Sequence, residues 1–364
     1  QHGYSEEALD CYERMLKEGL SPTAITFVCV LKACGNIRET QKGQELHGII
    51  IKEALLEKNI MVGNALVDMY AKCGDLVRAL EVFNELPVRD VVSWNVLILG
   101  YVQHGLSEEA LDCMKSMQFW GVSPDQITCV AALGACSDIV AIIEGQKIHA
   151  EIVKKGLETE PIIGNILVDM YSKCFSLPDA QEVFDKMPAR SVIACTALSS
   201  GYVECGHSEV ALDCLQHMQT EGISMSIAAF ICGLKACREI GSRVKGRQLH
   251  IEIIKRGLLE IEVFIGSILV DMYVNCGLLA EAQVVFDRLP VRDVVSWTAL
   301  ITGFTEHGYG EDALHYHEEM KQEGITQDAI ILVCSLKACT SIGASEKGQQ
   351  IHGEILKKGL ERDD

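Results

Sequence analysis

Apolar and polar residues follow one another along this chain at the spacing of amphipathic helices. In residues 91–125, one apolar series ends at Gly105 and a second ends at Gly121, with Pro124 just beyond it. Apolar residues three and four positions apart share one face of a helix, and Gly and Pro mark helix ends. The segment is therefore predicted to form two helices joined by a tight turn, with Ser107 capping the second helix.

The helical pattern itself repeats about every 101 residues. The sequence V-D-M-Y begins at Val67, Val168 and Val270, L-D-C begins at Leu9, Leu111 and Leu212, and an aliphatic residue precedes His47, His149, His250 and His352. Units that recur at a fixed spacing stack in a row, and each buries its apolar face on its neighbours. We therefore predict an all-α solenoid instead of separate globular domains.

Charge and hydropathy argue against two kinds of binding, non-specific attraction to phosphates and insertion into a membrane. The 364-residue chain has a net charge of −19, which argues against non-specific binding of phosphates by clustered Lys and Arg. No apolar run approaches the roughly 18 residues of a transmembrane helix, so we expect no membrane partner. The chain begins Gln1-His2-Gly3-Tyr4, without an initiator Met or a basic leader, so we expect it to come from the interior of a longer protein.

The 16 Cys residues recur at fixed repeat positions inside helical patterns. One set is Cys34, Cys136, Cys237 and Cys339, a second is Cys73, Cys174 and Cys276, and a third is Cys11, Cys113 and Cys214. Because no C-x-x-C spacing occurs, we interpret them as small buried thiols in a reducing compartment. The recurrent His residues lack a second ligand at a metal spacing, so we interpret them as packed or capping side chains and predict no metal and no cofactor.

Several longer motifs resemble those of the plant pentatricopeptide repeat (PPR) family of the PLS class. They are M-Y-A-K-C-G at Met69–Gly74, R-D-V-V-S-W-N at Arg89–Asn95 and H-G-x-S-E-E-A-L at His104–Leu111. The resemblance covers the whole chain and implies one continuous, right-handed α-solenoid of helix-turn-helix motifs of the P, L and S types. It divides the chain into a partial P motif (1–23), three L-S-P triplets (24–125, 126–226 and 227–328) and a terminal L motif (329–364).

The resemblance also implies that the fifth and last residues of a motif together read one RNA base. The pairs and the bases they imply are Asn64 with Asp90 (U, less well C), Asn95 with Asp125 (U), Asn165 with Ser191 (C), Thr196 with Ser226 (A), Ser267 with Asp293 (G) and Thr298 with Asp328 (G). An amide offers a pyrimidine edge both a donor and an acceptor, and a short hydroxyl leaves room for a purine.

The L motifs carry aliphatic residues at the fifth position, where they cannot read a base edge: Val28, Val130, Ile231 and Val333. With these motifs as spacers, the implied site is 5′-UUnCAnGG-3′. The second residue of the other motifs is apolar, and in the family it sandwiches the base: Met61, Val92, Ile162, Ile193, Phe264 and Val295. Stacking on an apolar surface tolerates any base, so it would contribute affinity, whereas the pairs would contribute base specificity.

Structural interpretations compete with these roles. The fifth residues are also of the types that cap helices, the Asp residues are common in loops, and the second residues suit a packed core. Two positions depart from the repeat. Cys195 stands where sibling units have Trp, and Phe175 stands where they have Gly74 and Gly277. A Phe with positive φ at a helix end would be strained.

We therefore expect a sequence-specific single-stranded RNA-binding array. By resemblance, it is the target-recognition part of a C-to-U RNA-editing factor of the mitochondrion or chloroplast, with multiple organellar RNA-editing factors (MORF proteins) or a deaminase in trans as partners. The chain lacks the P-C-x-x-C part of the zinc-deaminase signature and is not expected to be an enzyme.

Two other functions compete with RNA binding. A protein–protein interaction scaffold of the tetratricopeptide type uses a similar helical hairpin, and the acidic charge favours it. An enzyme acting alone is disfavoured, because no nucleophile, base and orienting group converge in any one unit.

Overall fold

The computed structural model describes residues 2–358, and every regular element in that range is an α-helix. In chain order the helices are α1 (His2–Lys17), α2 (Ala24–Ile37), α3 (Thr40–Lys52), α4 (Leu55–Lys58), α5 (Ile60–Lys72), α6 (Leu76–Glu85), α7 (Val91–Gln103), α8 (Ser107–Phe119), α9 (Gln126–Asp138), α10 (Ile142–Lys154), α11 (Pro161–Lys173), α12 (Leu177–Lys186), α13 (Val192–Glu204), α14 (Ser208–Thr220), α15 (Ile227–Ile240), α16 (Arg243–Lys255), α17 (Leu258–Ile261), α18 (Val263–Asn275), α19 (Leu279–Asp287), α20 (Val294–Glu306), α21 (Gly310–Gln322), α22 (Ala329–Ile342) and α23 (Ser345–Lys358). None of these described helices is long and apolar enough to cross a membrane.

The helices pack into two compact units, Gln1–Ala189 and Arg190–Asp364. In the first unit, the opening helices of successive pairs form a row in which α2 packs on α5, α5 on α7, α7 on α9 and α9 on α11. In the second unit, α13 packs on α15, α15 on α18, α18 on α20 and α20 on α22. A second helix packs beside each opening helix, so the predicted all-α stack of helix pairs is confirmed within each unit.

Helix ends explain two of the sequence expectations. Phe175 lies just beyond α11 with φ 59, and its counterparts Gly74 and Gly277 have φ 85 and 68, so the strained left-handed conformation considered for Phe175 is present. The expectation that Ser107 caps α8 is wrong, because the N-cap residue is Leu106. Ser107 lies one residue inside the helix, where its buried hydroxyl donates a hydrogen bond to Asp138 Oδ2 at 3.1 Å.

The cysteines are free thiols, and most of them lie in the core as predicted. Burial raises the pKa of Cys136 and Cys237 to about 12. The third set differs from the prediction, since Cys11 is exposed and Cys113 and Cys214 are half-buried, and Cys73 of the second set is also half-buried. No cluster of His, Cys, Asp or Glu able to hold a metal ion exists within residues 2–358.

The recurrent His side chains join neighbouring helix pairs. Their Nδ1 atoms lie within hydrogen-bond distance of the hydroxyls of the V-D-M-Y tyrosines: His47 and Tyr70 at 3.0 Å, His149 and Tyr171 at 2.8 Å, and His250 and Tyr273 at 2.8 Å. Burial lowers the pKa of these three imidazoles. Their interpretation as packed side chains is confirmed, whereas His352 is exposed.

Candidate functional site

The six polar fifth residues occupy one equivalent position, the fifth residue from the start of an opening helix. They are Asn64 on α5, Asn95 on α7, Asn165 on α11, Thr196 on α13, Ser267 on α18 and Thr298 on α20. Asn64, Asn95 and Ser267 are buried, and the other three are half-buried. These residues lie inside their helices, so their interpretation as N-caps is wrong.

The last residue of each pair is the N-cap of the next opening helix. Asp90 caps α7, Asp125 caps α9, Ser191 caps α13, Ser226 caps α15, Asp293 caps α20 and Asp328 caps α22. Each of these side chains accepts a hydrogen bond from the backbone N–H of the third helical residue, which satisfies a donor that the helix leaves free. The Asp residues are therefore fixed at helix starts and are not loose loop residues.

Three of the pairs are joined by direct hydrogen bonds across adjacent helices. Asn64 Nδ2 donates to Asp90 Oδ1 at 3.4 Å, and Asn95 Nδ2 donates to Asp125 Oδ1 at 2.9 Å. Ser267 Oγ donates to Asp293 Oδ1 at 2.8 Å. In each of these pairs the acceptor lies at the start of one opening helix and the donor lies in the opening helix before it. The packing of the two helices therefore sets the distance between donor and acceptor.

The two threonines are arranged differently. Thr196 Oγ1 donates to the backbone carbonyl of Val192 at 2.6 Å, and Thr298 Oγ1 donates to that of Val294 at 2.7 Å. Their hydroxyl protons therefore bond within their own helices and not to the partner residues of the pairs. Asn165 belongs to the first unit and Ser191 to the second, where Ser191 Oγ accepts from the Ala194 backbone N–H at 3.1 Å.

The hydrogen bonds keep two of the carboxylates ionised. Burial raises the pKa of Asp90, but bonds donated by the Ser93 backbone and hydroxyl and by Asn64 outweigh it, and the pKa is lowered. At Asp125 burial acts in the same direction, and bonds from Thr128 and Asn95 again lower the pKa. Both side chains can therefore only accept hydrogen bonds at neutral pH.

The apolar second residues project into solvent. Met61, Val92, Ile162, Ile193, Phe264 and Val295 are 50–61% exposed. Their interpretation as core residues is wrong. Equivalent positions on the opening helices α2, α9 and α22 extend the same series, since Ile25, Ile127 and Ile330 are also exposed. We call these nine residues the apolar ladder. Exposed apolar side chains without a function are scattered singly over a surface, whereas these recur at one repeat position. Such a regular series indicates a binding surface.

In the second unit the ladder and the pairs line one groove of about 510 Å³. Phe264, Val295 and Ile330 contribute apolar walls, and Ser267, Thr298 and Asp328 contribute polar groups. Ser267 is fully buried, whereas Phe264 and Val295 are half exposed, so the polar group lies deeper than the apolar pair.

The charge of this groove is mixed. Lys235 and Arg238 line it together with the carboxylates of Asp271, Glu306 and Asp328. Arg238 pairs with Asp271 at 3.2 Å. Non-specific attraction of phosphates is therefore weak here, as the net charge of −19 predicts.

The aliphatic residues at the fifth position of α2, α9, α15 and α22 follow the same register. Val28, Val130 and Ile231 are half-buried and Val333 is exposed. They offer no hydrogen-bonding group at the position where the other opening helices present an amide or a hydroxyl.

Thr128 is a site residue that the sequence analysis missed. Its hydroxyl lies 2.5 Å from Asn95 Oδ1 and 2.9 Å from Asp125 Oδ1, and it is fully buried. The signal was present in the sequence: Asp followed three residues later by Ser or Thr is a helix-capping pattern, and it occurs at Asp90, Asp125 and Asp293.

The tripeptide H-x-E, half of a zinc-deaminase signature, recurs at His149, His250 and His352. The first two imidazoles are bonded to tyrosines, and no metal-binding cluster accompanies them in the described part of the chain. The tripeptides at His149 and His250 therefore belong to the packing of the repeat.

Comparisons with known families give consistent matches along the chain. The model described as "PPR repeat family" matches residues 89–138, the one described as "PPR repeat" matches residues 64–91, 165–192, 193–223 and 295–325, and the one described as "Pentatricopeptide repeat domain" matches residues 1–37.

Three curated proteins of Arabidopsis thaliana, all named as pentatricopeptide repeat-containing proteins, are similar over almost the whole chain. One is 36% identical over 98% of this chain and 56% of its own length. A mitochondrial one is 35% identical over 98% of this chain and 34% of its own. A chloroplastic one is 33% identical over 94% of this chain and 55% of its own. The chain thus spans between about a third and a little over half of these relatives.

Among solved structures, the chain resembles the pentatricopeptide repeat protein PPR10 in complex with an 18-nt psaJ RNA element. The TM-score is 0.69, with 16% sequence identity over 96% of this chain and 57% of PPR10. At this identity the likeness establishes the fold of paired helices.

Proposed function

Because this chain belongs to the pentatricopeptide repeat family, we propose that it is a sequence-specific array for single-stranded RNA. The observation that carries the proposal is the pairing of fifth and last residues across adjacent opening helices, as in Asn95 and Asp125 at 2.9 Å, beside exposed apolar side chains. Polar pairs of this kind offer hydrogen bonds to base edges, and apolar surfaces hold base faces. PPR10, whose fold is similar, is bound to RNA in its structure.

The proposed target is 5′-UUnCAnGG-3′, with the six pairs as its readers in the order given by the chain. The second residues of those motifs would hold the bases, and the L motifs would act as spacers. In the second unit, the groove between Phe264, Val295 and Ile330 supports this assignment, because it places Ser267, Thr298 and Asp328 beside apolar walls.

We further propose that the chain is a PLS-class array that addresses a C-to-U editing activity in the mitochondrion or chloroplast. The mitochondrial and chloroplastic relatives support an organellar location. The deaminase would be supplied in trans or by another part of a longer protein, and MORF proteins are the proposed protein partners. The chain itself contributes base recognition.

The test is equilibrium binding to RNAs that contain the proposed site, a scrambled site or single-base changes. The double variant N165T and S191D should shift preference at the fourth base from C towards G. Asp can replace Ser191 without loss of the helix cap, because Asp fills the same position at the start of α7, α9, α20 and α22. The matched control is N84T, an exposed Asn of α6 outside the pairs. Equal, weak binding of all RNAs would contradict the proposal.

The acidic charge favours one alternative, a protein-interaction scaffold of the tetratricopeptide type. Such a scaffold would bind the proposed and scrambled RNAs equally weakly, and N165T with S191D would have no effect on base choice. The same titration therefore separates the two functions.

A further inference from the structure

The third residue of the helix that follows each pair differs from pair to pair. It carries a hydroxyl at Ser93, Thr128 and Ser296, and it is apolar at Ala194, Ala229 and Ile331. All three hydroxyls are fully buried, yet they make different bonds. Ser296 Oγ donates to the backbone carbonyl of Asp293 at 2.8 Å, so it does not engage the reading groups.

At Asn95 the orientation of the amide is determined by its two neighbours. The Asp125 carboxylate can only accept, so the Nδ2 group must face it, and the bond is 2.9 Å long. Asn95 Oδ1 then points to the Thr128 hydroxyl, 2.5 Å away. A rotated amide would place its oxygen against the carboxylate, which can also only accept, and it would give up the hydrogen bond from the Thr128 hydroxyl to Oδ1. The amide is therefore held in one orientation, with one Nδ2 hydrogen left to donate.

At Asn64 the corresponding hydroxyl does not reach the amide. Ser93 Oγ donates to Asp90 Oδ1 at 2.9 Å, and Asn64 Nδ2 lies 3.4 Å from the same oxygen. Asn64 Oδ1 is buried without a hydrogen-bond partner. This amide is held by one long bond, and rotation costs it less than the same rotation costs Asn95.

We propose that Thr128 is a third specificity-determining residue of the Asn95–Asp125 pair, acting as a positioning residue that limits Asn95 to donating a hydrogen bond. This inference rests on the proposed RNA-binding function. Uracil presents a carbonyl oxygen where cytosine presents an amino group. A fixed N–H donor can hydrogen-bond to the carbonyl oxygen of uracil but not to the amino group of cytosine. The pair should therefore prefer U to C at the second base of the site. Asn64, with a freer amide, discriminates less at the first base.

The test compares U with C at the first and second bases, in separate RNAs, for the wild type and for T128V. Valine keeps the shape of threonine and removes the hydroxyl. The U-to-C affinity ratio at the second base should fall by roughly three- to ten-fold, which corresponds to one hydrogen bond, and the ratio at the first base should stay constant. A ratio within one variant is insensitive to a general loss of stability.

Two controls keep the result interpretable. T26V removes the same capping-box hydroxyl at the start of α2, where none of the six proposed reading pairs is capped, so base ratios should not change. T128A is a second variant, since Ala occupies the equivalent position in α13 and α15 and those helices form. If RNA binds but T128V and T128A leave the second-base ratio unchanged, the role of Thr128 is refuted while RNA binding stands. If the wild type does not prefer the site to its scramble, the proposed function itself is refuted.

Discussion

Single residues in this chain serve two purposes at once. Asp125 caps α9, accepting from the Thr128 backbone N–H at 2.9 Å, and it also accepts from the Asn95 amide at 2.9 Å. A substitution that changes base choice at such a position can also weaken a helix. The last position of each proposed pair is therefore restricted to residues that can cap, which matches the Asp and Ser found there.

Removing the Asp125 side chain should lower stability. We expect D125A to reduce the free energy of unfolding by about 1 kcal/mol, because the first turn of α9 loses its cap. Urea denaturation measures this loss. The control D112A removes an exposed carboxylate paired only with Lys115 of the same helix, and it should change stability by less than about 0.5 kcal/mol. Equal effects of the two variants would contradict the capping role.

Phe175 is one of the described non-glycine residues with a positive φ. Its φ of 59 is a conformation that glycine adopts freely, and its side chain is 57% exposed, so little packing compensates. We expect F175G to stabilise the protein by about 1 kcal/mol in thermal or urea unfolding. The converse change G74A, at φ 85, should destabilise by a similar amount. A destabilised F175G would show that the Phe side chain makes a compensating contact.

At the scale of helices, close approach between opening helices sets the geometry of the proposed site. A Cβ atom added at Gly303 of α20 would lie 2.5 Å from Val274 Cγ1 on the preceding opening helix, α18. Valine is branched at Cβ and cannot move aside without a change of rotamer. The spacing of α18 and α20 therefore depends on this glycine, and the same two helices carry the proposed reading residues Ser267 and Thr298.

We expect G303A to destabilise the protein by about 1–3 kcal/mol, because the helices must separate or Val274 must leave its rotamer. The matched control is G134A in the middle of α9, where an added Cβ meets nothing within 4 Å. That change should stabilise by about 0.5–1 kcal/mol, as alanine is the better helix former. Urea unfolding of both variants provides the measurement, and a stabilised G303A would contradict the close packing of α18 and α20.

At the scale of the whole molecule, the three His–Tyr contacts predict an acid-sensitive stability. Burial lowers the pKa of His47, His149 and His250 below the ordinary value of 6.5. Above pH 6.5 these groups are neutral in both the folded and unfolded states. Below it the unfolded chain binds more protons, so stability falls until the folded pKa values are passed. The pKa values of Asp90 and Asp125 are lowered from 3.8, so the stability that these two carboxylates contribute is lost only at lower pH, below about 3.8.

Unfolding midpoints measured between pH 8 and pH 5 test this account. The wild type should be constant down to about pH 6.5 and then lose stability. Replacing the three His residues with Gln should reduce the loss of stability between pH 6.5 and pH 5, while His317, whose pKa burial also lowers, still contributes in this range. An unchanged slope in the triple variant would assign the acid sensitivity to other groups.

The sequence predicted the stack of helix pairs because each repeat needs its neighbours to bury its apolar face, and that pattern is visible in the spacing of V-D-M-Y and the glycines. It also located the polar positions that now lie together, Asn64 with Asp90 and Asn95 with Asp125. It did not reveal Thr128, because contact with Asn95 depends on the distance between α7 and α9.

Composition alone left the exposure of the ladder open, since apolar residues such as Met61 and Phe264 suit either a packed core or a surface that holds bases. Whether an apolar side chain is buried depends on its direction relative to the neighbouring helix pair, which the packing decides. For the same reason, the sequence did not predict that the L-D-C cysteines would be partly or fully exposed.

The most direct test of the central claim is selection of bound sequences from a random single-stranded RNA pool by the purified 364-residue chain. The account predicts enrichment of 5′-UUnCAnGG-3′, with the two unread positions opposite the L motifs. It also predicts that exchanging one fifth-and-last pair changes only the base assigned to that pair. An unenriched pool, or an enriched sequence that does not respond to such an exchange, would contradict it.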